Sequence, residues 1–237
     1  MNNEKLYTLS KVAFPDADFE DNMDLFYRKL NEKLPLLDGA IKDVKKYRFD
    51  TWMNLFAAKK WYDYCELGKL YLKVEAKGKT RIEIVGHNLN VAFGIITDKI
   101  STCDFDFGNS KTEKIICIED AQKFDGISFD IVQEDNNETE FFGAAWCTNI
   151  PPLRTHSLAV ITCTFKREAY IKKTIRKFAE FMEENAEHSN PIHLYVVDNG
   201  KTLPQELENN NISIIPNMNA GGAGGFARGL MEANKDG

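Results

Sequence analysis

The sequence has little cysteine, and its cysteines show no spacing typical of a pair or a metal site. Their number is odd, and no two of them form a Cys-x-x-Cys motif. They are Cys65, Cys103, Cys117, Cys147 and Cys163. This excludes a disulfide-stapled secreted scaffold, and it predicts reduced, mostly buried thiols in a cytoplasmic protein.

An excess of basic residues is also missing. The chain has 30 Lys and Arg against 36 Asp and Glu, which gives a formal net charge of −6. Because nucleic-acid backbones bind basic surfaces, we expect no nucleic-acid partner. His87 follows a predicted strand without a second ligand at a suitable spacing, so we predict no metal site there.

Long apolar runs are absent as well. No stretch approaches the ~20 residues that span a bilayer, so we expect any membrane contact to be peripheral, at the inner face of the cell membrane. A predicted helix carries the basic residues Lys172, Lys173, Arg176 and Lys177. We interpret them as a solvated face, with contact to anionic lipid as the alternative.

The apolar content is enough for two cores. The chain has 237 residues, of which 43% are hydrophobic, whereas one domain usually holds ~100–200 residues. The segment 149–153 contains Pro151 and Pro152, which interrupt a strand pattern because proline cannot donate to a β-ladder. We therefore predict two domains, residues 1–150 and residues 151–237.

The first predicted domain is mostly β. Apolar spacing predicts a short helix over residues 20–33, and seven short apolar runs follow between Gly, Asn and Asp clusters. The runs are Leu70–Ala76, Arg81–Gly86, Val91–Thr97, Thr102–Phe107, Lys114–Glu119, Ile127–Val132 and Phe141–Thr148. The first two are predicted to form a hairpin at Gly78, and the set predicts an antiparallel β-sandwich, jelly-roll-like.

Aromatic residues are concentrated between Tyr47 and Tyr64. The stretch includes Phe49, Trp52, Phe56, Trp61 and Tyr62. Clustered aromatic side chains most often belong to a core, so we predict that they cover one end of the sandwich core. A face that stacks on sugar rings is the alternative.

The second predicted domain alternates strand and helix. Residues 158–163 and 192–197 are continuous apolar runs, as expected for parallel strands buried on both faces, and residues 212–215 form a shorter run. Between the first two, Ile171, Ile175, Phe178 and Met182 recur at helical spacing. This order predicts a Rossmann-like α/β unit.

Polar clusters follow each of these three strands. They begin at Thr164, Asp198 and Asn217. Ligands of open α/β sheets bind at the carboxyl edge of the strands, and these residue types suit a nucleotide: a carboxylate for the ribose or base, and a cation such as Arg167 for phosphate. Each cluster alone is equally typical of a turn or a helix start.

Five glycines open the last helical pattern, within Asn219-Ala220-Gly221-Gly222-Ala223-Gly224-Gly225-Phe226-Ala227-Arg228-Gly229. A glycine-rich helix N-terminus can hold a diphosphate, whereas close packing of the helix on the sheet is the alternative. A dinucleotide fingerprint would need glycines directly after the first strand, and a Walker loop would need Gly-Lys-Ser/Thr. Neither is present.

These residues resemble a known family. The segments 160–167, 196–200 and 219–229 are similar to the inverting family 2 glycosyltransferases of GT-A fold. The Asn-x-Gly-Gly-Ala-Gly-Gly-Phe-x-Arg run resembles, more narrowly, their galactofuranosyltransferase branch, which also has an N-terminal β-sandwich. The resemblance covers nearly the whole chain.

The resemblance implies roles for individual residues. Thr164 and Arg167 would lie near the uridine, and Asp198 would bind the uracil or ribose. The diphosphate would be bound by the remaining set: Asn219, Gly221, Gly222, Gly224, Gly225 and Arg228. Lys166 stands where the branch often has Asn, which leaves that uridine contact open.

The resemblance also implies catalytic groups that this sequence does not contain. The Asp-x-Asp motif for a divalent cation, Mn²⁺ or Mg²⁺, and the carboxylate base are expected after Gly237. We therefore expect a C-terminally truncated enzyme that is inactive alone, with no catalytic or metal-binding residue of its own.

The expected function of the full protein is transfer of galactofuranose from a UDP-sugar donor to a glycan or lipid-linked glycan of a bacterial cell wall, with inversion. Whether the protein forms a homo-oligomer is left open by the sequence. One alternative is a family 2 transferase of another sugar, such as rhamnose. A second is a non-catalytic carbohydrate-binding or assembly module, in which Trp52 or Trp61 would stack on the glycan.

Overall fold

The computed structural model describes residues 5–15, 17–35, 41–134, 139–154, 157–185 and 192–236. The chain divides into two compact units, Met1–Pro152 and Leu153–Gly237, called unit 1 and unit 2 below. No helix in these described ranges combines the length and the apolar character that a membrane span requires.

Unit 1 consists of two antiparallel sheets. Their strand orders are β1-β9-β4-β7 and β2-β3-β8-β5-β6. The strands are β1 Tyr7–Lys11, β2 Arg28–Pro35, β3 Ile41–Arg48, β4 Leu70–Lys77, β5 Lys79–Asn90, β6 Gly94–Asp106, β7 Thr112–Ile118, β8 Gly126–Glu134 and β9 Glu140–Thr148. Helical segments are Ala17–Leu25 (3-10), α1 Ala58–Tyr64 and Ala121–Lys123 (3-10). A predominantly antiparallel, sandwich-like fold is confirmed.

The core of unit 1 collects the inward side chains of both sheets. On β4 every second residue from Leu70 is buried in it, and β5 and β8 contribute alternating positions in the same way. The fully buried members include Leu70, Leu72, Val74, Ile82, Ile84, Ile127, Phe129 and Trp146. Each large apolar side chain buried here stabilises the fold by about 1.5–3 kcal/mol relative to exposure.

The predicted hairpin at Gly78 is wrong in its pairing. β4 pairs with β7 and β9, whereas β5 pairs with β6 and β8, so the two strands lie in different sheets. Gly78 takes φ +85° and exchanges backbone hydrogen bonds with residues 107 and 108. The connection carries the chain across the sandwich, so that Leu72 and Ile82 face one core from opposite sides.

The predicted helix over 20–33 is also wrong. The 3-10 segment ends at Leu25, and β2 then runs antiparallel to β3 over eight residue pairs. Residues 91–97 and 102–107, predicted as two strands, belong mostly to the single strand β6. In both places long-range pairing decides the local structure, because strand propensity depends on tertiary context.

The aromatic stretch is split between core and surface. Phe49 and Phe56 are buried, and Trp61 stacks on Phe56 with ring centroids 6.0 Å apart, so the core prediction is confirmed for these residues. Trp52 and Tyr64 are exposed.

Charged residues are buried on the outer face of the five-stranded sheet. Lys46 Nζ lies 2.8 Å from Glu83 Oε2 and 2.9 Å from Asp130 Oδ2. Burial lowers the pKa of Lys46, but hydrogen bonds to the two carboxylates outweigh it and raise the pKa overall. Beside this cluster His87 Nε2 lies 2.8 Å from Ser128 Oγ, and burial lowers the pKa of His87.

Unit 2 is a three-stranded parallel sheet of order β10-β11-β12. Its elements are β10 Leu158–Thr164, α2 Glu168–Glu184, β11 Ile192–Asp198, a 3-10 turn Gln205–Leu207, β12 Ile212–Pro216 and α3 Gly221–Asp236. Ile171 and Ile175 of α2 pack with Leu194 and Val196, whereas α3 contacts β10 and β11. The alternating strand and helix order predicted from the sequence is confirmed.

Candidate functional site

The carboxyl ends of the three parallel strands of unit 2 lie in register. Thr164 is the Cα partner of Asp198, and Asp198 is the partner of Pro216. The Asn199 N–H donates to the Thr164 carbonyl at 2.9 Å, and the Asn217 N–H donates to the Asp198 carbonyl at 2.9 Å. The three polar clusters predicted to meet at one edge of the sheet are therefore adjacent.

Asp198 is buried at this edge, with 1% of its surface exposed. Its Oδ1 accepts the Gly200 N–H at 2.9 Å, and its Oδ2 accepts the N–H groups of Thr202 at 2.6 Å and Leu203 at 2.7 Å. Both oxygens are thus used to shape the loop 200–203. The predicted direct contact of Asp198 with uracil or ribose stays a prediction, and it would require this loop to open.

Two asparagines connect the strand ends to the glycine helix. Asn217 Nδ2 donates to Asn199 Oδ1 at 2.8 Å, and Asn199 Nδ2 donates to the Gly221 carbonyl at 3.2 Å. Both side chains are buried. Asn217 begins one of the polar clusters predicted at the strand ends, whereas Asn199 was given no role of its own. Its position directly after a strand end is the signal that could have identified it.

The start of α3 is open above two of its glycines. Gly221 has φ +69°, a conformation that favours glycine, and its N–H donates to Asn219 Oδ1 at 3.2 Å. A Cβ atom added at Gly221 or Gly222 would meet no atom within 4 Å. In the first turn the N–H groups of Gly222 and Ala223 have no acceptor in the helix, so they are available to an anion.

The later glycines of the run lie in close contact with neighbouring residues and leave no open space for a ligand. A Cβ atom at Gly225 would lie 2.9 Å from Cys163 Cβ, and one at Gly229 would lie 2.3 Å from Ile161 Cγ2. At Gly224 it would lie 2.4 Å from Ala220 Cβ. The alternative of close helix–sheet packing therefore accounts for Gly225, and the available anion donors are confined to the first turn.

Neither of the two arginines predicted to bind the nucleotide hydrogen-bonds to Asn199, Asn217 or Gly221 in the described part of the chain. Arg167 is exposed just before α2 and has no ion pair among the described residues. Arg228 lies seven residues after Gly221, which is ~10 Å along the helix, and its Nε is 2.7 Å from Glu232 Oε1. Arg228 would have to leave Glu232 to reach a phosphate at the first turn.

Lys166, between Phe165 and Arg167, has a left-handed backbone with φ +52°. Its Nζ lies 5.3 Å from the centroid of the Phe165 ring. Few non-glycine residues adopt this conformation, and Asn tolerates it better than Lys does. The Lys side chain adds a cation at the strand edge.

Thr164 has the one buried side-chain oxygen of unit 2 that lacks a hydrogen-bond partner in the described structure. Its residue is 8% exposed and stands at the end of β10. Buried hydroxyl groups usually have a hydrogen-bond partner. The Thr164 hydroxyl therefore marks a position where a ligand atom, or a rearranged protein group, would supply the missing hydrogen bond.

Residues that could hold a metal do not cluster in the described ranges. No group of three His, Cys, Asp or Glu side chains there is arranged to bind an ion.

Comparisons with known proteins add little to this geometry. No protein-family model and no curated protein matches the sequence. Weak similarities to solved structures include a Clostridium thermocellum xylanase 10B chain, with CBM22-1 and GH10 modules complexed with xylohexaose, at 7% identity and a TM-score of 0.31. The alignment covers 76% of this chain and 36% of that chain.

Two further structures are similarly distant. The C-terminal family 22 carbohydrate-binding module of the same xylanase is 12% identical with a TM-score of 0.28, covering 59% of this chain and 99% of that chain. A family two carbohydrate esterase from Cellvibrio japonicus is 8% identical with a TM-score of 0.26, covering 98% of both chains. Similarity this low carries no functional argument.

Proposed function

We propose that unit 2 is the donor-nucleotide-binding part of a family 2 glycosyltransferase of GT-A fold. In such an enzyme, an acceptor hydroxyl would attack the anomeric carbon of a UDP-sugar from the side opposite the diphosphate. The new glycosidic bond forms as the bond to UDP breaks, the hydroxyl proton passes to a base, and the configuration inverts. The sugar we propose is galactofuranose, and the acceptor is a glycan or lipid-linked glycan.

The observation that carries this proposal is the open first turn of α3 beside three aligned strand ends. The first-turn N–H groups of Gly222 and Ala223 have no acceptor within the helix and stand at the positive end of its dipole, which suits a diphosphate. The space above Gly222 is open. Asn199 fixes this turn against the sheet. The buried Thr164 hydroxyl, which lacks a partner among the described residues, would pair with the base or ribose beside the anion.

The test is calorimetric titration of the chain with UDP. We expect binding that is lost, or weakened at least tenfold, when Gly222→Val fills the open space above the first turn. The control is Ala227→Val, an exposed position on the same helix beyond the first turn, which should leave UDP affinity unchanged. Absence of UDP binding by the unmodified chain would contradict the proposal.

Arg228 is tested against a matched arginine. Arg228 and Arg176 each pair with a Glu four residues later on a helix of unit 2. If Arg228 exchanges Glu232 for the diphosphate, Arg228→Ala should weaken UDP binding several-fold, whereas Arg176→Ala should not. Equal effects of the two substitutions on UDP affinity would mean that Arg228 does not contact the diphosphate.

A different observation favours a second function for unit 1, the binding of a glycan. A cleft of about 250 Å³ opens there, and most of its lining is aromatic. The lining residues are Phe14, Tyr27, Tyr47, Phe49, Ile131, Gln133, Thr139 and Phe141. Aromatic faces with a few polar groups suit a sugar ring, and the Gln133 amide forms no hydrogen bond within the described structure.

Oligosaccharide titration separates this function from donor binding. Tyr47→Ala should abolish glycan binding without changing UDP affinity, whereas Tyr64→Ala, at an exposed position outside the cleft, should change neither. Glycan binding that depends on Trp52 and not on Tyr47 would move the glycan site to the exposed indole.

A further inference from the structure

Charges are distributed unevenly along helix α2 and the residues just before it. Between Phe165 and Lys177 the chain has six basic residues and one acidic residue, although its formal net charge is −6. We call residues 165–177 the α2 basic segment. Its basic residues are all exposed: Lys166, Arg167, Lys172, Lys173, Arg176 and Lys177. The other acidic residues of α2 lie within its last five positions: Glu180, Glu183 and Glu184.

This order of charges is unfavourable for the helix itself. The dipole of a helix favours anions in the first turn and cations in the last turn. Glu168 follows that rule, but Arg167 is the N-cap residue, and the last turn holds Glu183 and Glu184 and no basic residue. A surface that only keeps the protein soluble does not require such an order. Departures from a local rule of stability are expected where a surface has a function.

Exposed aromatic side chains accompany the basic residues. Phe165 is 45% exposed and Tyr170 is 72% exposed. Tyr170, Lys173 and Lys177 recur at spacings of three and four, so they lie on one side of the helix. Phe181, also exposed, continues this row one turn later. Basic residues beside aromatic rings are typical of helices that lie in the headgroup region of a membrane.

The opposite side of α2 is packed against the sheet. Ile171 and Ile175 are buried there together with Leu194 and Val196. The exposed side of a single packed helix is convex, so it cannot enclose a small ligand. A flat anionic surface needs only cations and interfacial side chains on one side of the helix, and no backbone group has to enter hydrocarbon.

We propose that the α2 basic segment docks the protein on the surface of an anionic lipid bilayer, with Tyr170 in the headgroup region. Each Lys or Arg near such a surface raises the affinity by about fivefold. Charges more than about 8 Å away are largely screened at physiological salt, so the acidic remainder of the chain opposes docking only weakly. This inference does not depend on the proposed nucleotide site.

The acidic partner of Arg176 does not prevent docking. Arg176 Nε lies 3.8 Å from Glu180 Oε1, and both side chains are more than half exposed. Surface pairs of this kind contribute little to stability, so the guanidinium can exchange the carboxylate for a lipid phosphate. Arg176 is therefore suitable for a charge-reversal test.

The experiment is sedimentation of the chain with phosphatidylcholine vesicles that contain or lack phosphatidylserine. We expect binding only with phosphatidylserine, and weaker binding at higher salt. K172E/R176E should lower the partition coefficient at least about tenfold. The matched control, K60E/K69E, makes the same change of charge at two exposed lysines of unit 1 and should bind as the unmodified chain does. Circular dichroism checks that both variants are folded.

A pair of tyrosine variants tests which side of the helix meets the membrane. Tyr170→Ser should weaken binding to the anionic vesicles several-fold. Tyr64→Ser, at an 84% exposed tyrosine of unit 1, should leave it unchanged. An equal effect of the two substitutions would contradict docking through this side of α2.

Three further results would overturn the inference. Equal losses in K172E/R176E and K60E/K69E would mean that binding follows net charge alone. Binding to phosphatidylcholine alone that persists at high salt would assign the contact to an apolar surface. Tighter binding to a duplex oligonucleotide than to the anionic vesicles would assign the α2 basic segment to nucleic acid.

Discussion

The two units place their polar side chains differently, and the difference separates structural from candidate functional residues. In unit 2, α2 and α3 pack on opposite faces of the sheet, so polar groups concentrate at the strand ends around Thr164, Asp198 and Asn199. In unit 1, buried charges stand in mid-strand on one sheet and pair with each other. The mid-strand groups satisfy one another, whereas the strand-end groups include free donors.

Removing the central cation of the unit 1 cluster gives the largest expected effect. Lys46→Ala leaves Glu83 and Asp130 buried without their shared partner, so we expect unit 1 to lose about 3–5 kcal/mol of unfolding free energy. Tryptophan fluorescence during urea unfolding measures this directly, because all three tryptophans lie in unit 1.

Lys99→Ala is the control for that substitution. Lys99 also lies 2.8 Å from Glu83, but its side chain is 56% exposed, so its loss should cost no more than about 1 kcal/mol. Equal losses for Lys46→Ala and Lys99→Ala would mean that the cluster behaves as a surface ion pair.

The second prediction concerns the packing glycines of unit 2. Gly229→Ala places a methyl group against Ile161 and should destabilise unit 2 by about 1–3 kcal/mol. Hydrogen exchange of the β10 and β11 amides would report the change. Unaltered protection of these amides would show that α3 can move away from the sheet without cost.

Gly222→Ala should act in the opposite direction. Its added methyl meets no atom within 4 Å, and alanine favours a helix over glycine, so unit 2 should gain up to about 1 kcal/mol. The same hydrogen-exchange measurement compares the two variants. If both destabilise α3, the division of the glycine run into an open turn and a packed stripe is wrong.

The smallest effect concerns pH and His87 in unit 1. Burial holds the pKa of His87 below its ordinary value, with Asp50 and Asp130 opposing the shift and Arg28 adding to it. The unfolded chain therefore takes up this proton first. The contribution of neutral His87 to the free energy of unfolding is complete above about pH 6.5. It is lost as the pH falls from there towards the pKa of His87 in the folded state.

Thermal unfolding of His87→Gln measures that contribution. As the pH falls below about 6.5, the melting temperature of unit 1 should drop more steeply in the unmodified chain than in the variant. Parallel curves would mean that His87 titrates alike in both states.

The sequence predicted unit 2 better than unit 1 for a physical reason. In unit 2 a single pattern predicts both the type of element and its buried side chains. Examples are the continuous apolar run of residues 192–197 and the apolar stripe through Ile171 and Ile175. The strands of unit 1 were also recognisable, but the partner of β4 depends on contacts far along the chain. The Gly78 connection has the sequence of a hairpin turn and crosses between sheets instead.

The candidate site was predictable in position but not in detail. Strand ends located Thr164 and Asp198, because parallel strands align their carboxyl ends. The sequence could not show that the carboxylate oxygens of Asp198 already accept hydrogen bonds from backbone N–H groups, or that Asn199 links the sheet to α3. Which glycines pack and which stay open depends on neighbours such as Cys163 and Ile161, which only the fold brings together.

Amide chemical shifts measure most directly whether the first turn of α3 and the aligned strand ends bind UDP. On addition of UDP we expect the largest shifts on Gly200 and residues 217–223, with smaller shifts from inorganic phosphate confined to Gly222 and Ala223. Shifts confined to unit 1, or none at all, would contradict binding there.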